Sequence, residues 1–219
     1  MSKVGKVIVA PWSISIDGFS AGPRQDVDHP LGVGGEKIMQ WVFATEAFHK
    51  MHGMEGGVRN QDNDHFEGVF NNMGAIIMGR NMFGPVRGEW QSWPHEWKGW
   101  WGANPPFHVP VFVLTHHARP TLEMEGGNIF HFVTEGPEAA LRRAKEAAGS
   151  KDVHVGGGVQ TVRQYLLAGA IDEMRLAMSP VLLGEGENLF AGIDLAKLGY
   201  GRVSFVPGDA AMHVTIGRG

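Results

Sequence analysis

Residues 153–190, VHVGGGVQTVRQYLLAGAIDEMRLAMSPVLLGEGENLF, constrain this chain more than any other stretch. A short apolar run breaks into Gly156, Gly157 and Gly158, a helix-length segment follows and is closed by Gly169, and a second apolar run ends at Gly184-Glu185-Gly186. Two strand-length runs joined by a helical segment predict a strand–helix–strand unit, the building block of a parallel sheet. The glycines fall where the first strand passes into the helix. Unpaired backbone N–H groups and the positive end of the helix dipole meet there, so the turn suits an anionic group of a nucleotide. Glycine also serves simply to allow a tight turn, and the triplet is not a GxGxxG fingerprint.

Two further segments share the design: IIMGRNMF at 76–83 and VFVLTHHAR at 111–119. In a parallel sheet the C-terminal ends of such strands lie along one edge, where open α/β folds bind ligands. Gly79, Arg80 and Asn81 offer N–H groups and one cation. Thr115, His116, His117 and Arg119 offer a hydroxyl, imidazoles and a guanidinium to a phosphate or ribose. Three strand ends of this kind favour a nucleotide site over three unrelated turns.

The remaining pattern is that of one α/β domain. Residues 6–16 read as a buried strand ended by Asp17-Gly18, residues 20–35 as a loop, and 36–51 as a helix with apolar residues three and four apart. Asp64 is expected to cap a short helix through Phe70, ahead of a strand at 74–79 and a short helix opening at Arg80. Residues 84–108 form a long connection with five of the seven tryptophans, favoured as core packing or a subunit contact over a lid. Strands at 111–115, 129–133, 152–155 and 173–178 alternate with helices at 137–148 and 159–168, and 200–206 with 212–216 reads as a hairpin across Pro207-Gly208-Asp209. The expected architecture is a mainly parallel sheet with helices on both faces and an antiparallel hairpin at one edge.

A formal charge of −4 with scattered basic residues speaks against nucleic acid as a partner. The absence of cysteine excludes disulfides and thiolate metal sites. No apolar run approaches the roughly 20 residues needed to span a bilayer, and no signal peptide is evident, so a cytoplasmic protein is expected. Eleven histidines include no HExxH pattern, and His49 and His52 lack a third ligand, so no metal site is expected.

The ordered segments ISIDG (14–18), AIIMGRNMF (75–83), VFVLTHH (111–117) and 155–190 together resemble the dihydrofolate reductase-like superfamily, most of all its riboflavin-biosynthesis reductase branch. The resemblance covers the chain apart from insertions around 20–70 and 84–108. It implies a dihydrofolate reductase-like three-layer fold with a sheet of about eight strands, an NADPH-dependent reductase, and a homodimer. It also implies that Gly79, Arg80 and Asn81, with Gly156, Gly157, Gly158, Val159 and Gln160, hold the cofactor pyrophosphate. Thr115, His116 and His117 would then lie near the adenosine 2′-phosphate, and His116, His117 and Arg119 favour NADP over NAD. Relatives usually place a basic residue after the SxDG motif and an acidic one before the glycine pair; here Phe19 and Val155 stand there, which argues against a phosphoribosyl pyrimidine substrate. The expected substrate is a small conjugated or heteroaromatic molecule. Asp17 is the candidate proton donor, with turn formation as its other role, and Glu185 is a weaker candidate for substrate contact. A flavin-binding oxidoreductase and an inactive nucleotide-binding protein stand as alternatives.

Overall fold

The computed structural model describes residues 5–219. In chain order its elements are β1 (Val7–Ser15), β2 (Phe19–Ala21), α1 (Gln40–Phe43), α2 (Glu46–Met51), α3 (Gln61–Val69), β3 (Met73–Gly79), α4 (Arg80–Phe83), β4 (Pro110–Leu114), β5 (Leu122–Met124) and β6 (Asn128–Val133). They continue with α5 (Pro137–Ala148), β7 (Asp152–Gly157), α6 (Val159–Leu167), β8 (Glu173–Ser179), β9 (Glu187–Asn188), β10 (Tyr200–Pro207) and β11 (Met212–Arg218).

Nine strands form one sheet in the order β10-β11-β8-β1-β7-β3-β4-β6-β5. The six from β8 to β6 are mutually parallel, while β11, β10 and β5 add antiparallel edges. One more strand is present than the sequence pattern suggests. β5 is only three residues long and carries no clear alternation, so nothing local marks it. The two-stranded pair β2-β9 is equally short and joins the segment after β1 to the 184–186 turn.

Helices α5 and α6 cover one face. α5 lays Ala140, Ala144 and Ala148 against the sheet, each fully or almost fully buried. Small residues four apart let the helix sit close, and Gly74 completes the fit: a Cβ there would lie 2.9 Å from that of Ala148. The opposite face has two separate covers. α1, α3 and the end of the hairpin turn bury Trp41, Val42, Phe66 and Ala211 over β8. The 84–108 connection packs Trp90, with Trp93, Trp97 and Trp101, over Ile76, Met78, Val111, Val113 and Phe130 of β3, β4 and β6. Trp90 is therefore core, with Trp93, Trp97 and Trp101 partly buried against it, as the packing expectation had it, while Trp100 stands outside this cluster.

The helix expected over 36–51 is broken. Thr45 donates its hydroxyl proton to the Val42 carbonyl, accepts the N–H of Phe48, and bridges to Val58, so a new helix starts at Glu46. Local side-chain bonding here displaces a continuous helix. α3 likewise begins earlier than expected, because Asn60 and not Asp64 accepts the first free N–H, from Asn63. Among the described residues no helix is long and apolar enough to cross a membrane.

Candidate active site

Between the two covers lies a cleft of about 1020 Å³, floored by β1, β3 and β7. That is the upper end of the range for small-molecule sites. The parallel register brings the three strand ends together: Gly79 is opposite Leu114, and Met78 is opposite Gly157. Gly79, Arg80, Asn81, Thr115, His116, His117, Gly156, Gly157, Gly158, Val159 and Gln160 all line this one cavity. Residues more than 80 positions apart thus converge because adjacent parallel strands end on the same side of the sheet.

The glycines differ in what they do. A Cβ on Gly79 would lie 2.3 Å from the Thr161 hydroxyl, so the turn after β3 can meet the start of α6 only without a side chain. Gly157 has φ 133° and a Cβ there would stand 3.1 Å from Trp12. Gly158, joined to it by a cis peptide bond, has an ordinary φ of −74°, and a Cβ on it would meet nothing within 4 Å. Gly79 and Gly157 are thus packing requirements, whereas Gly158 leaves backbone open at the head of α6, which has no side-chain cap.

The cation beside these turns is Arg80. Its guanidinium stacks on the Trp90 indole at 3.9 Å, and its Nε and Nη2 are buried without a partner. Burial pushes its pKa down, helped by the nearby Arg87. Arg87 also lines the cleft and donates Nη1 to the carbonyl of Gly84 at 3.0 Å. Trp90 donates its indole N–H to the His117 carbonyl at 2.9 Å, and the His117 N–H donates to the Thr115 hydroxyl at 3.1 Å. The turn after β4 is therefore held by the tryptophan that underlies Arg80.

Arg119 falls outside the expected site. It is absent from the cleft lining; its guanidinium lies 5.0 Å from Trp90 and 4.9 Å from Phe132 and bonds to Glu96 at 3.4 Å. It braces the aromatic platform, and the arginines that do line the cleft are Arg80 and Arg87. Arg87 and Trp90 lie in the connection that the strand-end argument left aside. The Arg87-Gly88 pair followed by Trp90 was their one visible signal.

Asp17 and Glu185 do not line the cleft. The Asp17 carboxylate accepts the Ser15 hydroxyl at 2.5 Å and the N–H groups of Leu183 and Gly184 at 3.2 and 2.7 Å. The Ser15 bond, followed by the backbone bonds, lowers its pKa despite a counteracting desolvation, so it is an ionised clamp and a poor acid. Its turn role is the one the structure displays. Glu185 is exposed on a turn shaped by Gly186, where a Cβ would strike the Ala21 carbonyl.

The family model described as the RibD C-terminal domain matches residues 6–209. A putative riboflavin biosynthesis protein from Shewanella sp. PV-4 superposes with a TM-score of 0.57, covering 98% of this chain and 99% of that one at 22% identity. A diaminohydroxyphosphoribosylaminopyrimidine deaminase/5-amino-6-(5-phosphoribosylamino)uracil reductase from Thermotoga maritima gives 0.55 over 98% of this chain and 57% of that one, at 15% identity. The Bacillus subtilis (strain 168) protein YwjB, described as uncharacterized, is 37% identical over 59 residues, 27% of this chain and 33% of that protein. The sequence match thus spans about a third of that curated relative, and the structural similarities at these identities speak for the fold alone.

The Asp17 clamp has a stability signature. A carboxyl whose folded pKa lies below its ordinary 3.8 contributes stability that is present above that value and lost as pH falls through the folded one. Asp17→Asn is expected to lower the urea midpoint at pH 7, with the gap from the parent closing below about pH 4. Urea titrations at pH 7, 5 and 3 check this, and a gap as large at pH 3 as at pH 7 would exclude the carboxylate as the clamp.

Proposed function

This chain belongs to the RibD C-terminal domain family, and from that premise we propose that it is a cytoplasmic NADPH-dependent reductase of a small conjugated or heteroaromatic compound. The observation that carries the reading is the Arg80 guanidinium, buried on Trp90 with two unpartnered nitrogens. Leaving charged donors buried and unpaired is costly, and a phosphate is the ligand group best suited to pair with them. In this reading Gly158 and the head of α6 receive the pyrophosphate. Arg80, with Arg87, His116 and His117, receives the adenosine 2′-phosphate that distinguishes NADPH from NADH.

The bound cofactor would supply the hydride. What the chain itself contributes is placement. Trp100, Trp101 and Phe107 of one cover and Phe43, Phe48 and Met51 of the other also line the cleft, giving apolar walls suited to hold a flat molecule and keep water out. Asp17 takes no part in proton transfer in this reading.

Arg80→Gln is expected to raise the NADPH dissociation constant about 10- to 100-fold, the loss of one or two charge-assisted hydrogen bonds. The NADH constant should change less than about threefold, being short of the 2′-phosphate. Fluorescence titration with both nucleotides checks this; unchanged NADPH binding would remove Arg80 from the site.

We also propose that the protein is a homodimer joined through β10. This edge strand is exposed along almost its whole length, with Val203 59% and Phe205 70% exposed. An open, apolar edge is a pairing surface unless something covers it, and a second copy in two-fold symmetry does so with one patch. Sedimentation should give twice the chain mass for the parent protein and the chain mass for Phe205→Glu. A monomeric parent would refute it.

A further inference from the structure

The cleft reaches well beyond the strand ends. β3 runs seven residues from Met73 to Gly79, about 20 Å at the rise of a strand, and residues at both of its ends line the same cavity. Gly79 and Arg80 stand at one end. At the other, Phe70 and Met73 line it together with Phe107, which precedes β4, the parallel neighbour of β3. Ring contacts carry this far arm across to the helical cover: Phe70 lies 5.3 Å from Phe66, Phe66 lies 6.3 Å from Phe48, and Phe48 lies 5.1 Å from Phe43. Phe43 and Phe48, with Met51, line the cavity from that side.

The two ends differ in charge. Among the described residues, the carboxylate and guanidinium groups that line the cleft belong to Arg80, Arg87 and Glu187. Arg87 donates Nη1 to the carbonyl of Gly84, whose own N–H donates to the Arg80 carbonyl at 2.9 Å, so both arginines sit past the end of β3. Glu187 accepts from the Gln160 amide at 3.2 Å, in the first turn of α6. All three therefore belong to the strand-end half. In the far arm, His52 stacks on Phe48 at 4.1 Å but is exposed, so a proton on its ring is solvated at the rim. Phe43, Phe48, Met51, Phe70 and Phe107 are each only half-buried. Large apolar side chains that keep surface open to one shared cavity mark a binding site. A charged group placed among them would lose its hydration and gain no partner.

We propose that this arm is a subsite for an uncharged apolar part of the substrate, at least one ring beyond the part that is reduced, and that it rejects molecules bearing a carboxylate, sulfonate or phosphate there. The inference deepens the reductase reading and rests on it only in calling the ligand a substrate. Because the arm lies at the opposite end of β3 from Arg80, its occupant and the cofactor bind together. Met51 offers a handle on this selectivity. It is the last residue of α2, where a lysine of similar unbranched length also suits the helix dipole, so a charge can be brought to the arm at little cost to the fold.

N-Phenyl-1-naphthylamine and 1-anilinonaphthalene-8-sulfonate share one ring system, differ in the sulfonate, and brighten on leaving water. In fluorescence titrations of the full chain the uncharged dye should bind about tenfold more tightly than the anion. 1-Naphthylamine, which lacks the phenyl ring, should compete about tenfold more weakly than the whole dye binds. Saturating NADPH should leave the dye in place. Met51→Lys should weaken the uncharged dye and tighten the sulfonate, a reversal that loss of structure does not mimic, since a loosened chain takes up apolar dyes generally. Equal binding of the two dyes by the parent, a preference untouched by Met51→Lys, or displacement of the dye by NADPH would overturn the proposal. A dye preference reversed by Met51→Lys in a protein that binds no NADPH would count against the reductase and leave the arm in its role.

Discussion

The contact on which the site depends is the stack of Arg80 on Trp90. Arg80 is the first residue after β3, and its backbone turn is fixed by Gly79 against Thr161. Trp90 comes from the long connection on the face that α5 and α6 do not cover, and its N–H holds the turn after β4. One indole therefore ties together two strand ends and the platform braced by Arg119 and Phe132. Without it the guanidinium would swing to water, as a long charged side chain ordinarily does. Held on the ring, it keeps two donors buried and free for an anion.

The rest of the fold sets the stage for that contact. Parallel strands end on one side by construction, so the apolar runs that dictate β3, β4 and β7 also dictate where their turns meet. The alanine stripe of α5 and Gly74 allow one face to close tightly. On the other face two aromatic covers of different origin leave a gap between them. That gap is the cleft, and His154 and the β1 residues Ala10 and Ser13 are its floor.

Much of this was legible in the sequence, because it rests on local patterns. The β7–α6–β8 unit, the glycine turn and α5 with Pro137 and Gly149 stand as the apolar spacing and turn residues dictate. The strand-end residues of the cleft followed from the same reasoning. What was not legible depended on tertiary partners. Asp17 looks like an acid at a strand mouth, yet the N–H groups that claim it come from residues 183 and 184. Arg119 and Arg80 look alike as basic residues after a strand. Glu96 and the aromatic platform take one, while the cleft keeps the other. His154 reads as an interior residue of a valine strand, and only its place in the cleft lining distinguishes it.

The account stands or falls on whether the free donors of Arg80 meet a phosphate monoester. The most direct measurement is 31P NMR of NADPH mixed with the protein between pH 5 and 8. A free phosphate monoester takes up its second proton near pH 6. The account predicts that the 2′-phosphate resonance moves on binding and stays in its dianionic position well below that pH, because a guanidinium beside it favours the charged form. A 2′-phosphate that titrates in the presence of excess protein as it does in free solution would contradict it.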